Sequence, residues 1–294
     1  MRSKALKETI FAYALLAPAL VLLGLLFLNP IINLFITSLT NKNLIRPDRL
    51  NFIGIENYKW MFMEPLFWSS LVRSVIFTVI VTILSISISM GLALLFNINF
   101  FGKKVLFALL LLPWVTSNMA STFIYTLLYD YSNGVINFIL SNVLKIIPRQ
   151  NWLGDITIAL GATMVVSIWY FLPFSILVLT NAIKQVPIEL AESARIDGAN
   201  SIRIFFSITL PTIRPALITL LIVRFAAVFK TFESIWLLTR GGPGDATKIL
   251  PLWYYQIGFQ SFRAGRGSAI GIILILMVLI VYSAVIKSFG EEAV

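Results

Sequence analysis

The sequence predicts an all-α integral membrane protein with six transmembrane helices. Of its 294 residues, 59% are hydrophobic and only 12% are charged, which is about half the charged share of an ordinary soluble domain. Six apolar stretches are long enough, at about 20 residues, to cross a hydrocarbon core of about 30 Å as helices. Because backbone polar groups find no water inside a bilayer, helices are the structure expected there. A soluble enzyme, a disordered chain and a coiled coil are therefore excluded.

The six predicted spans follow one another along the chain, separated by loops of unequal length. They lie at about residues 10–29, 71–98, 105–128, 156–182, 212–238 and 268–287. The first follows a basic segment, as a signal peptide would, but its apolar run is longer than the roughly 7–15 residues typical of one, and no A-x-A site follows. We expect it to be an uncleaved span. Pro18, Pro113 and Pro173 lie inside spans and are expected to mark kinks.

Basic residues beside the short loops predict that both termini lie in the cytoplasm. An even number of spans places both termini on one side of the membrane. The numbers of Lys and Arg in the two sets of loops do not distinguish the sides. However, Lys4, Lys7, Lys103 and Lys104 lie next to short segments, which count most in the positive-inside rule. We expect residues 1–294 to form a single transmembrane domain surrounded by lipid.

The chain contains no histidine and no cysteine, and this excludes several kinds of chemistry. Imidazole and thiolate metal sites, a Ser-His-Asp triad, a cysteine nucleophile and a disulfide each need one of these residues.

The net charge is +10, but the basic residues are scattered among loops, so nucleic acid is not expected as a partner. The sequence has no G-x-x-x-x-G-K-S/T segment for ATP. GGPGDATK at 241–248 has the wrong spacing and is expected to be a turn.

Residues 183–211 form a long loop that has a structure of its own. Pro187 suits the first turn of a helix, and the acidic residues after it are favourable near a helix N-terminus. Gly198 supplies the residue that ends this helix, and Asn200 or Ser201 can cap a second short helix before the fifth span. The sequence therefore predicts helix, sharp turn and helix at the membrane surface. In the simplest interpretation this is an amphipathic connector.

The same loop carries a longer pattern. Glu192-Ser193-Ala194 is followed by three residues, then Gly198, then nine residues, then Ile208-Thr209-Leu210-Pro211. This closely resembles the cytoplasmic signature of binding-protein-dependent ABC importer permeases, Glu-Ala-Ala, three residues, Gly, nine residues, Ile-x-Leu-Pro. The sole departure is Ser193 in place of the first alanine, which exchanges one small residue for another.

Two further segments are similar to sugar-type members of that family, specifically the maltose-type subunit. They are FESIWLLTRGGPG at 232–244 and the G-x-x-N-Y element within FIGIENY at 52–58. The resemblance covers nearly the whole chain and implies the type I ABC importer permease fold in the inner membrane of a prokaryote. It also implies a second six-span permease subunit, two ATPase subunits that carry ATP and Mg²⁺, an extracytoplasmic solute-binding protein and a sugar as cargo. No cofactor is expected on this chain.

The resemblance also implies roles for the residues of the cytoplasmic loop. The helix around 189–198 would dock into a cleft on the ATPase, Glu192 would pair with a basic residue there, and Gly198 would allow a close turn. ATPase closure would then rock the fourth and fifth spans and open the cavity outward. The residues assigned to this coupling role are Glu189, Glu192, Ser193, Ala194, Asp197, Gly198, Ile208, Leu210 and Pro211.

A sugar path needs hydroxyl-bonding side chains and flat apolar rings. The candidates are Asn118 and Tyr125 in the third span, Trp169 and Tyr170 in the fourth, and Arg224, Phe229, Lys230, Phe232 and Glu233 in the fifth. Each of them could instead be a packing residue. Lys230 and Glu233, three apart, are expected to share a helix face and either pair with each other or line the path. Arg224 either meets the other permease subunit or faces the solute.

The excess of cations over carboxylates in the fifth span favours an acidic saccharide or a sugar phosphate as one hypothesis for the cargo. Two other classes of protein stay open. A self-sufficient secondary transporter or channel would need an acidic site deep in the spans, and only Glu233 is available. An integral membrane enzyme would need carboxylate pairs or histidines near the interface, and the chain has no histidine.

Overall fold

The computed structural model describes residues 2–289, and most of these residues are helical. The α-helices in chain order are α1 (Arg2–Leu23), α2 (Asn29–Ser38), α3 (Glu56–Met63), α4 (Pro65–Asn97), α5 (Lys103–Val115), α6 (Asn118–Leu128), α7 (Val135–Asn137), α8 (Ala159–Lys184), α9 (Ile188–Ile196), α10 (Ser201–Ile204), α11 (Leu210–Phe229), α12 (Glu233–Thr239), α13 (Leu250–Tyr255) and α14 (Ala264–Phe289). Wider π-helical segments lie at Gly24–Leu28, Phe138–Val143, Phe205–Thr209 and Gln256–Gln260, and a 3₁₀ turn lies at Pro47–Arg49. Between residues 2 and 289, β pairing is limited to one isolated antiparallel bridge, Thr40 to Phe52.

Five helices are long and apolar enough to cross a membrane, and a bent pair of helices adds a sixth candidate. The five are Tyr13–Ser38, Pro65–Asn97, Ala159–Lys184, Ser201–Phe229 and Ala264–Ala284. The pair consists of α5 and α6, with a bend of 103° between them. The prediction of an all-helical, multi-span membrane chain is therefore confirmed. The total reaches six when the bent pair is counted as one span.

The first two spans extend beyond their predicted limits because prolines begin helical segments. The first was expected to end at residue 29, yet the helix continues to Ser38. At the π-helical segment the backbone N–H of Asn29 donates to the carbonyl of Gly24, and Pro30 then falls in the first turn of α2, where its missing N–H costs little. The second span likewise begins at Pro65 instead of residue 71.

The third span is interrupted, and the interruption is not at the proline. Pro113 lies inside α5, and the break follows it at residues 116–117. There the hydroxyl of Ser117 accepts a hydrogen bond from the backbone N–H of Ala120 at 3.2 Å and caps α6. Pro18 and Pro173 also lie inside helices, α1 and α8. Capping chemistry, not the ring of Pro113, therefore sets where this span turns.

The fifth span lies well to the N-terminal side of the predicted 212–238. It begins at Ser201, where the side chain of Asn200 accepts from the backbone N–H of Arg203 at 2.9 Å, and it continues without interruption to Phe229. The expected second short helix of the loop is therefore the start of this span. Residues 230–232 break the helix before α12, so the last part of the predicted span belongs to another element.

The chain divides into two compact units. One contains residues up to Pro65 together with Tyr254–Ile275, and the other contains Leu66–Trp253 and the end of α14. We call them the terminal unit and the central unit. The expectation of a single transmembrane domain over 1–294 stays a prediction.

Within the central unit, two clusters of buried side chains hold the spans together. One joins Ala93, Leu179 and Leu220 from the second, fourth and fifth spans. The other is built from Tyr125, Tyr129, Ala162, Val166 and Leu238, which belong to the third-span region, α8 and α12. These clusters pack α6, α11 and α12 against α8. The polar side chains meet elsewhere, at the N-terminal ends of α6 and α12 and the C-terminal end of α11.

Candidate functional site

A cavity of about 300 Å³ in the central unit brings together five of the nine predicted path residues. The five are Asn118, Tyr170, Lys230, Phe232 and Glu233, and the remaining lining residues are Phe171, Ala227 and Thr231. We call this cavity the path pocket. Three helix ends surround it, since Asn118 begins α6, Lys230 directly follows the last residue of α11 and Glu233 begins α12.

The break between α11 and α12 supplies the polar groups of the path pocket. The hydroxyl of Thr231 donates to the carbonyl of Ala227 at 2.9 Å and closes the last turn of α11. Beyond the break, the carboxylate of Glu233 accepts a hydrogen bond from the amide of Asn118 at 3.3 Å. Glu233 also stands in the first turn of α12, where a negative charge interacts favourably with the helix dipole.

Lys230 and Glu233 do not share a helix face, which corrects the sequence-based expectation. The 3.6-residue period that places positions three apart on one face holds only within one helix, and the break separates these two residues. Within residues 2–289, Glu233 bonds to Asn118 and forms no ion pair with Lys230. Both side chains are exposed, so the ammonium and the carboxylate are both available to a molecule in the pocket.

Tyr125, Trp169 and Phe229 pack inside the central unit and do not line the path pocket. Tyr125 is only 9% exposed, and its ring lies 5.3 Å from that of Trp169 in an edge-to-face arrangement. Phe229 is buried and stacks on Phe225 with ring centroids 5.9 Å apart. These three residues therefore pack against other side chains, which is the alternative that the sequence left open.

Arg224 is buried between the fourth and fifth spans, with only 4% of its surface exposed. Its Nη2 donates to the hydroxyl of Ser175 at 2.8 Å, and its guanidinium carbon lies 4.7 Å and 5.4 Å from the ring centroids of Phe171 and Phe174. We call this arrangement the arginine clamp. A charge is costly inside a bilayer unless it faces protein or water, and ring faces stabilise cations. The partners seen within the chain belong to α8, and contact with the solute or a second subunit stays a prediction.

The loop at 183–211 contains the helix that the sequence predicts, α9, and this helix ends at the predicted glycine. Pro187 is the N-cap of α9 and lies just outside its expected place in the first turn. Gly198 has φ of +85°. Its N–H donates to the carbonyl of Arg195 at 3.0 Å, and the N–H of Ala199 donates to that of Ala194 at 2.8 Å. This is the Schellman arrangement, which needs a left-handed residue and so favours glycine.

The side chains of the predicted coupling residues divide between an open surface and a small groove. Glu189, Glu192 and Ser193 are exposed on α9, a helix with no buried residue. The groove, of about 180 Å³, is lined by Ala194, Asp197, Ala199, Arg203, Ile204, Ser207 and Ile208. The two remaining residues, Leu210 and Pro211, lie in the first turn of α11.

Sequence reasoning missed Phe171 and Thr231 in the path pocket. The run Lys230-Thr231-Phe232 was the available signal, because two polar residues in succession at the end of an apolar helix are typical of a break. It also missed the contact of Arg73 in the second span, whose Nε donates to the carbonyl of Lys248 at 3.1 Å. The glycine-proline segment at 241–248 is a turn, as expected, with Gly241 at φ of +96°.

The fold and these sites define a class of protein, a multi-span permease with a structured loop between two spans and a polar pocket beside them. The chain belongs to the family described as binding-protein-dependent transport system inner membrane component, which it matches over residues 61–288. The resemblance inferred from the loop signature is thereby confirmed. Members of this family are transmembrane permease subunits and are not themselves catalytic.

Relatives with assigned names are transport permeases. The trehalose/maltose transport system permease protein MalF of Thermococcus litoralis is 34% identical over 276 residues, which are 93% of this chain and 91% of that protein. The sulfoquinovosyl glycerol transport system permease protein SmoG of Agrobacterium fabrum is 32% identical over 286 residues, 96% of this chain and 92% of that protein.

Solved structures agree with the fold. A chain of a bacterial ABC transporter involved in the import of the acidic polysaccharide alginate matches with a TM-score of 0.83 and covers 99% of both chains, at 22% sequence identity. At that identity the likeness concerns the fold alone, which is the type I ABC importer permease fold.

Proposed function

We propose that this chain is the permease subunit of an ATP-driven importer that moves a sugar or oligosaccharide across the inner membrane of a prokaryote by alternating access. An extracytoplasmic binding protein delivers the solute, and both termini lie in the cytoplasm, with the bent pair α5 and α6 as one of six spans. One observation carries the proposal. The exposed helix α9 leads through the Gly198 turn directly into the fifth span, which ends at the path pocket.

The energy for transport comes from partner subunits. Two ATPase subunits hold ATP and Mg²⁺, and a second six-span permease completes the pathway, so this chain binds no cofactor. Glu192 is exposed and forms no ion pair with any residue between 2 and 289, which leaves its carboxylate free for a basic residue of the ATPase. Such a pair withstands force when it is removed from bulk water and supported by apolar packing.

A sugar is the cargo that the path pocket and the named relatives support. Asn118, Lys230 and Glu233 offer groups that bind hydroxyls, and Tyr170 and Phe232 offer ring surfaces. The relatives named above are assigned to trehalose or maltose and to sulfoquinovosyl glycerol. Since Arg224 is held in the clamp, one cation and one carboxylate remain at the pocket. The hypothesis of an acidic saccharide or a sugar phosphate therefore depends on Lys230 alone, and the balance of charge favours a neutral sugar.

The alternative of a self-sufficient secondary transporter or channel has less support. Its coupling site would need a carboxylate deep within the spans, whereas Glu233 is exposed at the start of a short helix.

Charge reversal at the coupling helix tests the proposal. In vesicles that contain the complete transporter, we expect Glu192→Arg to lower ATP-dependent uptake of a neutral oligosaccharide about a hundredfold or more, because losing a desolvated ion pair costs about 3–5 kcal/mol. Asp48→Arg, which reverses an exposed carboxylate of the terminal unit, is the control and should transport normally. Normal uptake by the Glu192 variant, or transport by this chain without an ATPase, would refute the proposal.

A further inference from the structure

The terminal unit contains a second and larger cavity, of about 580 Å³, to which no role has been given. Its lining consists of Asn41, Lys42, Asn43, Ile53, Glu56, Asn57, Trp60, Arg263 and Arg266. The first candidate span ends at Ser38, and the last begins at Ala264. The lining residues therefore lie just beyond the end of one span and around the start of another, at the level of one membrane surface. We call this cavity the interface pocket.

Hydrogen bonds hold the walls of the interface pocket in place. Asn57 is 4% exposed, and its side-chain amide donates to the carbonyls of Ser38 and Thr40, both at 2.8 Å. The backbone N–H of Gly265 donates to the carbonyl of Lys42 at 3.0 Å, and a Cβ at Gly265 would collide with the carbonyl oxygen of Thr40. A pocket whose walls are fixed in advance loses little entropy when it binds a ligand.

The charge of the interface pocket is unbalanced. Lys42, Arg263 and Arg266 line it, and Glu56 is the sole carboxylate among the lining residues. None of the three cations forms an ion pair within the described part of the chain. The guanidinium of Arg266 lies 4.3 Å from the ring centroid of Trp60, which supports the cation from one face. Two guanidinium groups three residues apart suit an anion with several oxygens, and a phosphate accepts their paired N–H donors.

We propose that the interface pocket binds the phosphate headgroup of an anionic phospholipid. The pocket lies at the ends of two spans, which is the level of the lipid headgroups. It contains Trp60, and tryptophan is typical of that region. Apolar side chains near it stand open to their surroundings, with Phe52 75% exposed and Met63 82% exposed, and acyl chains would cover them at low cost. Basic side chains at a membrane surface attract anionic headgroups, and the paired donors of arginine match the oxygens of a phosphate. The proposal requires only that the chain lies in a bilayer and does not depend on sugar transport.

Lipid retention by the purified transporter complex tests this proposal. The complex is exchanged into bilayers of phosphatidylcholine with increasing phosphatidylglycerol, and the phosphatidylglycerol that stays bound is measured by native mass spectrometry. We expect the double variant Arg263→Gln with Arg266→Gln to raise the concentration for half occupancy roughly thirtyfold, since each basic residue at a membrane surface contributes about 1 kcal/mol. The control is Arg46→Gln with Arg49→Gln, which removes the same charge from exposed positions of the same unit outside the pocket. It should retain lipid normally.

A second double variant distinguishes loss of the lipid site from misfolding of the protein. Arg263→Lys with Arg266→Lys keeps both charges and should retain more phosphatidylglycerol than the glutamine pair but less than the native chain, because lysine lacks the paired donors. Equal loss in the Arg46 and Arg49 control would overturn the proposal. So would displacement of the lipid by inorganic phosphate, which would indicate a site for a free anion. Unchanged lipid binding together with lost stimulation by the binding protein would instead assign the pocket to a protein contact.

Discussion

Helix α9 and the arginine clamp differ in how their charged side chains are surrounded. Glu189 and Glu192 are exposed on a helix with no buried residue, and neither forms an ion pair between residues 2 and 289. Arg224, in contrast, is surrounded by a hydroxyl and two aromatic rings of the same chain. A charge that finds its partners within the chain holds spans together. A charge left open on a shaped surface is one that another subunit can use.

After charge reversal at Glu192, the largest effect on uptake should come from stiffening the turn after α9. Valine at Gly198 would be strained, because a left-handed backbone costs an L-residue about 1–2 kcal/mol, and it would change the surface offered to the ATPase. We expect Gly198→Val to lower ATP-dependent uptake at least about tenfold, measured in vesicles at equal amounts of assembled transporter.

Gly102 provides a matched control for that variant. It also has positive φ, at +79°, and a Cβ at either glycine would meet open space. Gly102→Val therefore introduces the same local strain at the turn before α5, and we expect uptake to remain near normal. Equal loss in both variants would show that backbone strain, and not the α9 surface, explains the effect.

The arginine clamp should be more sensitive to loss of a partner than to loss of the charge itself. Ser175→Ala leaves the buried guanidinium without its hydrogen bond and should lower the free energy of unfolding by about 1.5–3 kcal/mol. Arg224→Met removes the charge together with an Nε that has no partner among the described residues. The hydroxyl of Ser175 can still donate to the carbonyl of Phe171, at 3.3 Å, so this variant should be nearly neutral.

Denaturation midpoints of the purified transporter would measure this difference. Ser70→Ala is the control, since Ser70 is fully buried and its hydroxyl has no partner within residues 2–289, so its loss should not destabilise. A larger loss for Arg224→Met than for Ser175→Ala would mean that the charge is used by something other than the clamp.

The smallest effect should come from the path pocket, where the charges are exposed as they are on α9. Lys230→Gln should change uptake of a neutral oligosaccharide by less than about twofold, because a neutral cargo has no charge to pair with the ammonium and glutamine keeps a hydrogen-bonding group. Uptake of an acidic oligosaccharide, if the transporter accepts one, should fall about fivefold, because an exposed charge pair contributes at most about 1 kcal/mol. Lys145→Gln, an exposed lysine outside the pocket, is the control. Strong loss of neutral uptake would place Lys230 in direct contact with the sugar.

Local chemistry could be predicted from the sequence, whereas contacts between distant segments could not. The end of α9 at Gly198 and the cap at Asn200 depend on residues a few positions apart, and both are present. The partner of Arg224 is 49 positions away in α8, and no periodicity within one span indicates it. Five path residues meet in one pocket because three helix ends converge there, and hydrophobic patterns predict helix ends poorly.

The predicted limits of the fifth span, 212–238, were wrong because hydropathy alone does not locate helix ends. An apolar run is expected to begin where charges end, but Ser201–Phe229 starts among polar residues because the Asn200 cap fixes its first turn. At the other end, Lys230 and Thr231 break the helix, although apolar residues resume after Ser234. Capping and breaking residues therefore decided the boundaries that hydropathy alone misplaced.

The unbroken helix from Ser201 to Phe229 has a geometric consequence. Its 29 residues make a rod about 43 Å long at 1.5 Å per residue. If the base of that rod swings by about 5°, its tip travels along an arc of about 4 Å. That distance exceeds the 3.3 Å that separates Asn118 from Glu233, so a slight tilt at the α9 end of the helix is enough to break a hydrogen bond beside its far tip.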